Sequence, residues 1–148
     1  MGETVTTNRK ARFEYHVLDT LEAGIKLLGP EVKSLRDHKC SLDGSYVYIK
    51  DSEVFLVGMH IDEYKPSGGS VWTNHEPKRT RKLLLHSKEI RKFAEKATEK
   101  GFTIVPLKVY FNDKGIAKVE IAVVQGKKLH DKRETEKKKQ AEREIKNY

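Results

Sequence analysis

The side chains able to do chemistry in this sequence are mostly cations. Between Lys78 and Lys92 stand seven basic residues (Lys78, Arg79, Arg81, Lys82, Lys88, Arg91 and Lys92) against one acid, Glu89. A second cluster, Asn8-Arg9-Lys10-Ala11-Arg12, runs directly into Phe13 and Tyr15. Guanidinium and ammonium groups hold phosphate oxygens, and aromatic rings accept unstacked bases. Basic residues interleaved with aromatics therefore suit RNA. The plainer alternative for either cluster is a solvated face above core aromatics. Catalysis finds no comparable pattern. The histidines, His16, His38, His60, His75, His86 and His130, form no H-x-x-x-H or H-E-x-x-H spacing, and Cys40 has no second cysteine. No metal site is expected. His75-Glu76 is an adjacent acid–base pair, but adjacency in sequence gives no geometry, and no enzymatic role is expected. Gly68-Gly69 lacks the further glycines of a phosphate loop, so no nucleotide cofactor is expected either.

The elements that carry these residues fit in one domain, since 148 residues is an ordinary domain length. The formal charge is +8, which favours polyanionic partners, nucleic acid first. No apolar run approaches the roughly 20 residues needed to span a bilayer. Met1–Thr7 has no apolar stretch, so neither a signal peptide nor a membrane partner is expected. The lone Cys40 excludes an intramolecular disulfide framework and fits a reducing, cytoplasmic setting. A monomer is expected.

Charge is unevenly spread. Residues 127–148 hold nine Lys/Arg and five Asp/Glu, half of the whole excess. With Leu129, Ile145 and Tyr148 as its only large apolar side chains, this tail cannot bury enough surface to offset its ordering entropy. It is expected to be disordered when free. It is nevertheless rich in helix formers, with Glu134/Lys138 and Glu142/Lys146 in the favourable i,i+4 order. It reads either as a segment that folds on an anionic surface or as a solvated, solubilising tail.

The rest reads as mainly β. Phe13–Val17, Gly24–Leu28, Ser45–Lys50, Glu53–Val57, Phe102–Phe111 and Ile116–Val124 have strand length and apolar character. Asp51-Ser52 suits a hairpin turn, and Asn112-Asp113-Lys114-Gly115 a longer one. Pro106 demands an edge or a bulge. In the last strand Ala117, Val119, Ile121 and Val123 form the apolar face. A short helix is expected from Gly29-Pro30-Glu31 to near His38, with Val32 and Leu35 inward. A second is expected over Lys88–Lys100, capped by Ser87 and ended by Gly101, with Ile90, Phe93, Ala94 and Ala97 as its core stripe. About six short antiparallel strands with two helices predict a compact β-barrel. The expected organisation is a flexible N-terminus over 1–7, an RNA-binding barrel over 8–125 and a basic tail over 126–148.

Four blocks, in order, resemble the bacterial SsrA-binding protein (small protein B) family. They are Asn8-Arg9-Lys10-Ala11-Arg12; Gly29-Pro30-Glu31-Val32-Lys33-Ser34-Leu35-Arg36; Pro77-Lys78-Arg79-Thr80-Arg81-Lys82-Leu83-Leu84-Leu85; and Gly126-Lys127-Lys128-Leu129-His130-Asp131-Lys132-Arg133. The resemblance implies a barrel of the oligonucleotide-binding (OB-fold) type with flanking helices. It implies an adaptor that binds the tRNA-like domain of tmRNA (SsrA RNA) and delivers alanyl-tmRNA to stalled ribosomes for trans-translation. It also implies a tail that becomes helical on the ribosome, in the empty mRNA channel beside small-subunit RNA at the decoding centre.

Residue by residue, the resemblance implies RNA contact at Asn8, Glu22, Leu84 and His86. Glu22 can accept from base amino groups or be a plain surface charge. Leu84 can equally support the barrel wall. Arg81 and Lys82 are the expected phosphate ligands, with Arg9, Lys10 and Arg12 from the first block. Tyr15 either stacks on a base or packs beneath the cluster. In the tail, Lys127, Lys128, Lys132 and Arg133 would meet ribosomal RNA phosphates, His130 would stack on a base, and Asp131 would orient Arg133 or cap the tail helix. Phe13 stands where many members have His, Pro30 replaces a commoner Thr or Trp, and the Lys65–Trp72 loop matches nothing in the family pattern.

Overall fold

A computed structural model describes residues 3–65, 74–98 and 101–126. The tail, with Lys127, Lys128, His130, Asp131, Lys132 and Arg133, lies outside the described residues, as do loop residues 66–73 with Trp72. The architecture is mainly β. Among the described residues, nine strands and three helices follow in the order β1 (Thr4–Thr7), α1 (Arg9–Glu14), β2 (Tyr15–Ile25), α2 (Gly29–Arg36), β3 (Cys40–Ser41), β4 (Tyr46–Lys50), β5 (Glu53–Val57), β6 (His60–Ile61), β7 (Arg81–Leu84), α3 (Ser87–Ala97), β8 (Phe102–Phe111) and β9 (Ala117–Gly126). Seven strands form one antiparallel sheet in the order β1-β8-β9-β2-β7-β5-β4, and β3 pairs with β6. The sheet ends at β1 and β4 without pairing them, so it does not close into the expected barrel. The mainly antiparallel, OB-like character stands.

The hairpin β4–β5 turns at Asp51 and Ser52, both with positive φ (51° and 62°), the conformation a two-residue turn needs to match strand twist. The β8–β9 turn is held by the Asn112 side chain, whose Oδ1 accepts from the amides of Lys114 (3.0 Å) and Ile116 (2.9 Å). Pro106 is not on a sheet edge. It stands at a bulge, where the β8–β9 register shifts between Pro106 and Lys108. Ala117, Val119, Ile121 and Val123 turn into the core, as their alternation predicts, beside Val109, Leu83, Val54 and Leu56. Phe93 anchors α3 in that core, with Ile90 and Ala97 packed against it.

Besides the N-cap of α3, which is His86 and not Ser87, three segments depart from the sequence reading. Thr4–Thr7, expected to be flexible, pairs with β8 as β1. Phe13 belongs to helix α1, not to a strand. The Asn8 Oδ1 accepts from the Ala11 amide (3.2 Å), and Ala11 packs on Val105, Leu107, Ala122 and Val124. A six-residue helix with one buried residue carries no periodicity to read. Finally, Tyr15–Ile25 is one continuous strand with a bulge between Val17 and Asp19, not two separate pieces. Its exposed positions mix polar His16, Thr20 and Glu22 with apolar Val17 and Leu18, so no clean alternation marks it as one strand.

Candidate nucleic-acid interface

Strand alternation sorts β7 into two faces. Arg81 and Leu83 point inward and are buried; Lys82 and Leu84 point outward, Leu84 being 46% exposed. β2 runs beside β7, with Gly24 opposite Leu84. A Cβ on Gly24 would stand 3.2 Å from the Leu84 Cβ, so this close approach of the two strands favours glycine. Beyond it, β2 and the start of α3 enclose a cleft of about 470 Å³, lined by Glu22, Gly24, Leu84, His86, Glu89 and Lys118 among others. Three residues singled out through the resemblance, Glu22, Leu84 and His86, thus come together from β2, β7 and the N-cap of α3.

Glu22 and His86 are each held by a neighbour. The Tyr110 hydroxyl donates to Glu22 Oε2, and Lys108 Nζ lies 5.3 Å from the centre of the Tyr110 ring. Burial first, and the Glu22 carboxylate next, push the Tyr110 phenol up, so it stays a donor at neutral pH. Glu22 Oε1 has no partner among the described residues. The His86 amide donates to Glu89 Oε1 (3.1 Å), which fixes the entry to α3 while the exposed imidazole remains at the cleft. Tyr110, Gly24 and Lys118 were missed in the sequence. Only the three-dimensional register places them beside Glu22, since Gly24 and Tyr110 pair with Lys118 from either side.

Two expected contact residues are inside the fold. Arg81 is 0% exposed. Its Nε donates to Glu31 Oε2 (2.5 Å), its Nη1 to the Met59 carbonyl (2.7 Å) and its Nη2 to the Pro77 carbonyl (3.1 Å). Arg79 adds a 2.7 Å bond to Glu31 Oε1, which also accepts from the Leu28 amide (2.7 Å). Burial pushes the Glu31 carboxyl up, but the bonds from Arg79, Leu28 and Arg81 outweigh it and hold the group below the usual range. Burial likewise lowers Arg81, against the pull of Glu31. Asn8 is 5% exposed, with its amide nitrogen donating to the Pro106 carbonyl (2.9 Å) and its oxygen capping α1. Asn8 and Arg81, both expected at the RNA, thus have their side-chain polar groups paired inside the fold.

Those neighbours are outside. Arg9, Lys10 and Arg12 are exposed on α1. Tyr15 is half-buried against the Ala11–Val105–Val124 cluster and lines a second cleft of about 300 Å³ with Asn8, Lys10 and Tyr46. This patch stands at the opposite end of β2 from Glu22, roughly 23 Å away at strand rise. Lys82 is partly exposed, with Nζ 3.2 Å from Glu53 Oε1.

His75 is buried and its Nε2 meets the Ile61 carbonyl (2.9 Å), while Glu76 is exposed. The Cys40 thiol is pushed up to about 11, first by burial and then by Asp62. Among the described residues no three His, Cys, Asp or Glu side chains are grouped to hold a metal ion. No helix among them is long and apolar enough to cross a membrane.

Comparison with known proteins gives one family. The model of the SmpB protein family matches residues 5–148. An SsrA-binding protein of Wolbachia pipientis wMel is 55% identical over 142 residues, covering 96% of this chain and 93% of the relative. That of Rhodopirellula baltica is 50% identical over 141 residues, covering 95% and 78%. A solved structure described as "tmRNA-SmpB: a journey to the center of the bacterial ribosome" superposes with a TM-score of 0.70 at 45% identity, covering 84% of this chain and 85% of that one. With its sequence matched from residue 5 to residue 148 and its fold matched over most of that span, the chain belongs to the SmpB family.

Proposed function

We propose that this protein is an RNA-binding adaptor that binds the tRNA-like domain of tmRNA and delivers alanyl-tmRNA to stalled ribosomes for trans-translation. The observation that carries the reading is the convergence of Glu22, Leu84 and His86 on one outward cleft. There the free Glu22 oxygen accepts from a base amino group, and the His86 imidazole supplies a donor or acceptor to the same strand. Leu84 offers an apolar surface to a base or sugar. Lys82, Arg9, Lys10 and Arg12 neutralise phosphates, and Tyr15 supports the α1 patch. Asn8 and Arg81 act only through the elements they hold. The family membership and the tmRNA–SmpB assembly of the matched structure support this partner.

The tail has a separate task in this reading. Lys127, Lys128, Lys132 and Arg133 meet ribosomal RNA phosphates in the empty mRNA channel, His130 stacks at the decoding centre, and Asp131 orients Arg133 or caps the tail helix. Removal of residues 127–148 is the test. Binding to tmRNA is expected to survive and peptide tagging on stalled ribosomes to be lost. Loss of RNA binding with tagging intact would overturn this division of labour.

A further inference from the structure

Outside the cleft, the same outward sheet face carries a row of which the function above uses only Lys82. Tyr48 of β4 pairs with Phe55 of β5, and Phe55 pairs with Lys82 of β7. Tyr48 is 50% exposed, and Phe55 is half-buried beside it. Cations flank the row. Lys50 lies two residues along β4, and the Lys26 amide donates to the Lys82 carbonyl (2.9 Å). Lys50 makes no ion pair among the described residues. The bond from Lys82 to Glu53 joins two exposed side chains, and such pairs exchange at little cost.

The row is continuous with the cleft. Leu84 stands two residues beyond Lys82 on the same face of β7. Strand spacing and rise put the Tyr48 backbone about 12 Å from that of Leu84, within reach of successive nucleotides of one strand. An exposed ring backed by a second ring, with ammonium groups on either side, is how sheet surfaces receive single-stranded bases.

We propose that the Tyr48–Phe55–Lys82 row receives an unpaired nucleotide of the RNA seated in the Glu22–Leu84–His86 cleft, its base on the Tyr48 ring and its phosphate on Lys82. This rests on the RNA-binding reading above. It makes β4, the last strand in the hydrogen-bonded order of the sheet, part of the RNA surface.

The test is binding of labelled tmRNA tRNA-like domain to the full chain over a salt series. Tyr48→Ala and Tyr48→Thr are each expected to weaken binding about ten-fold, and Tyr48→Phe, which keeps the ring, to restore it. Lys82→Gln is expected to weaken binding and reduce the salt slope by about one. In wild type, RNA carrying 4-thiouridine is expected to photo-cross-link to β4. Wild-type affinity in both Tyr48→Ala and Tyr48→Thr, with no cross-link on β4, overturns the proposal while leaving the cleft as the RNA site. Failure of the wild-type chain to bind this RNA overturns the functional reading itself.

Discussion

Arg81 and Lys82 are neighbours on one strand with the same charge, yet they belong to different parts of the molecule. Arg81 faces inward and, with Arg79 and Glu31, ties α2 to β7 in a buried ionic network. Lys82 faces outward in a solvent-exposed pair. Asn8 and Arg9 repeat the contrast at α1, one buried as a cap and the other exposed. In the described part of the blocks that carry the family resemblance, buried and exposed polar residues therefore stand side by side. Glu31, Arg79, Arg81 and Asn8 hold the frame, and alternate residues of the same blocks are what the frame presents.

The largest expected effect lies in the buried network. Arg81→Ala or Glu31→Ala leaves an uncompensated buried charge and is expected to cost about 3–5 kcal/mol in chemical denaturation. Lys82→Ala is expected to leave stability within about 0.5 kcal/mol while weakening RNA binding. Equal destabilisation by Arg81→Ala and Lys82→Ala would erase the contrast. The same carboxylate gives an acid dependence. Because the folded state holds Glu31 below its ordinary 4.5, its contribution is fully present above that value. It drains away as pH falls through the lowered one, and Glu31→Gln should flatten that part of the curve.

A smaller effect is expected at Asn8. Its cap on α1 and its bond to the Pro106 carbonyl make Asn8→Ala cost about 1–2 kcal/mol, measurable by thermal unfolding. Arg9→Ala should leave the melting temperature alone.

The smallest expected effect is at His38, whose Nδ1 meets the Val5 carbonyl (3.1 Å) and whose Nε2 meets Glu3 (2.7 Å). Both ring nitrogens face acceptors, so the imidazolium makes both bonds. The Val5 carbonyl first, then Glu3, raise the group above its ordinary 6.5. The contribution of this clasp on β1 is complete below 6.5 and is lost as pH rises through the raised value. Amide exchange of β1 should quicken over that range in wild type and show no such step in His38→Gln.

Much of the frame was legible because it obeys simple periods. The alternation of Ala117, Val119, Ile121 and Val123, the Phe93 stripe, the Asp51-Ser52 turn and the Pro30 helix start each act over a few residues. What was not legible depends on partners far away in sequence. Arg81 looks like a phosphate ligand until Glu31, 50 residues earlier, is found beside it. Glu22 looks like a surface charge until β7 and β8 bring Leu84, His86 and Tyr110 to it. Strand closure is not legible for the same reason: edge pairing is a property of the assembled sheet, and among the described residues β4 finds no hydrogen-bonded strand on its outer side.

The central claim is that the outward cleft gives specific recognition of tmRNA, not merely an electrostatic footprint. The most direct measurement challenges labelled tmRNA tRNA-like domain, bound to the full chain at near-physiological salt, with excess bulk tRNA. The complex is expected to survive in wild type and to be displaced in Glu22→Gln and His86→Ala, with both variants keeping the wild-type melting temperature. Equal displacement from wild type by bulk tRNA, or wild-type resistance in both variants, would contradict the claim.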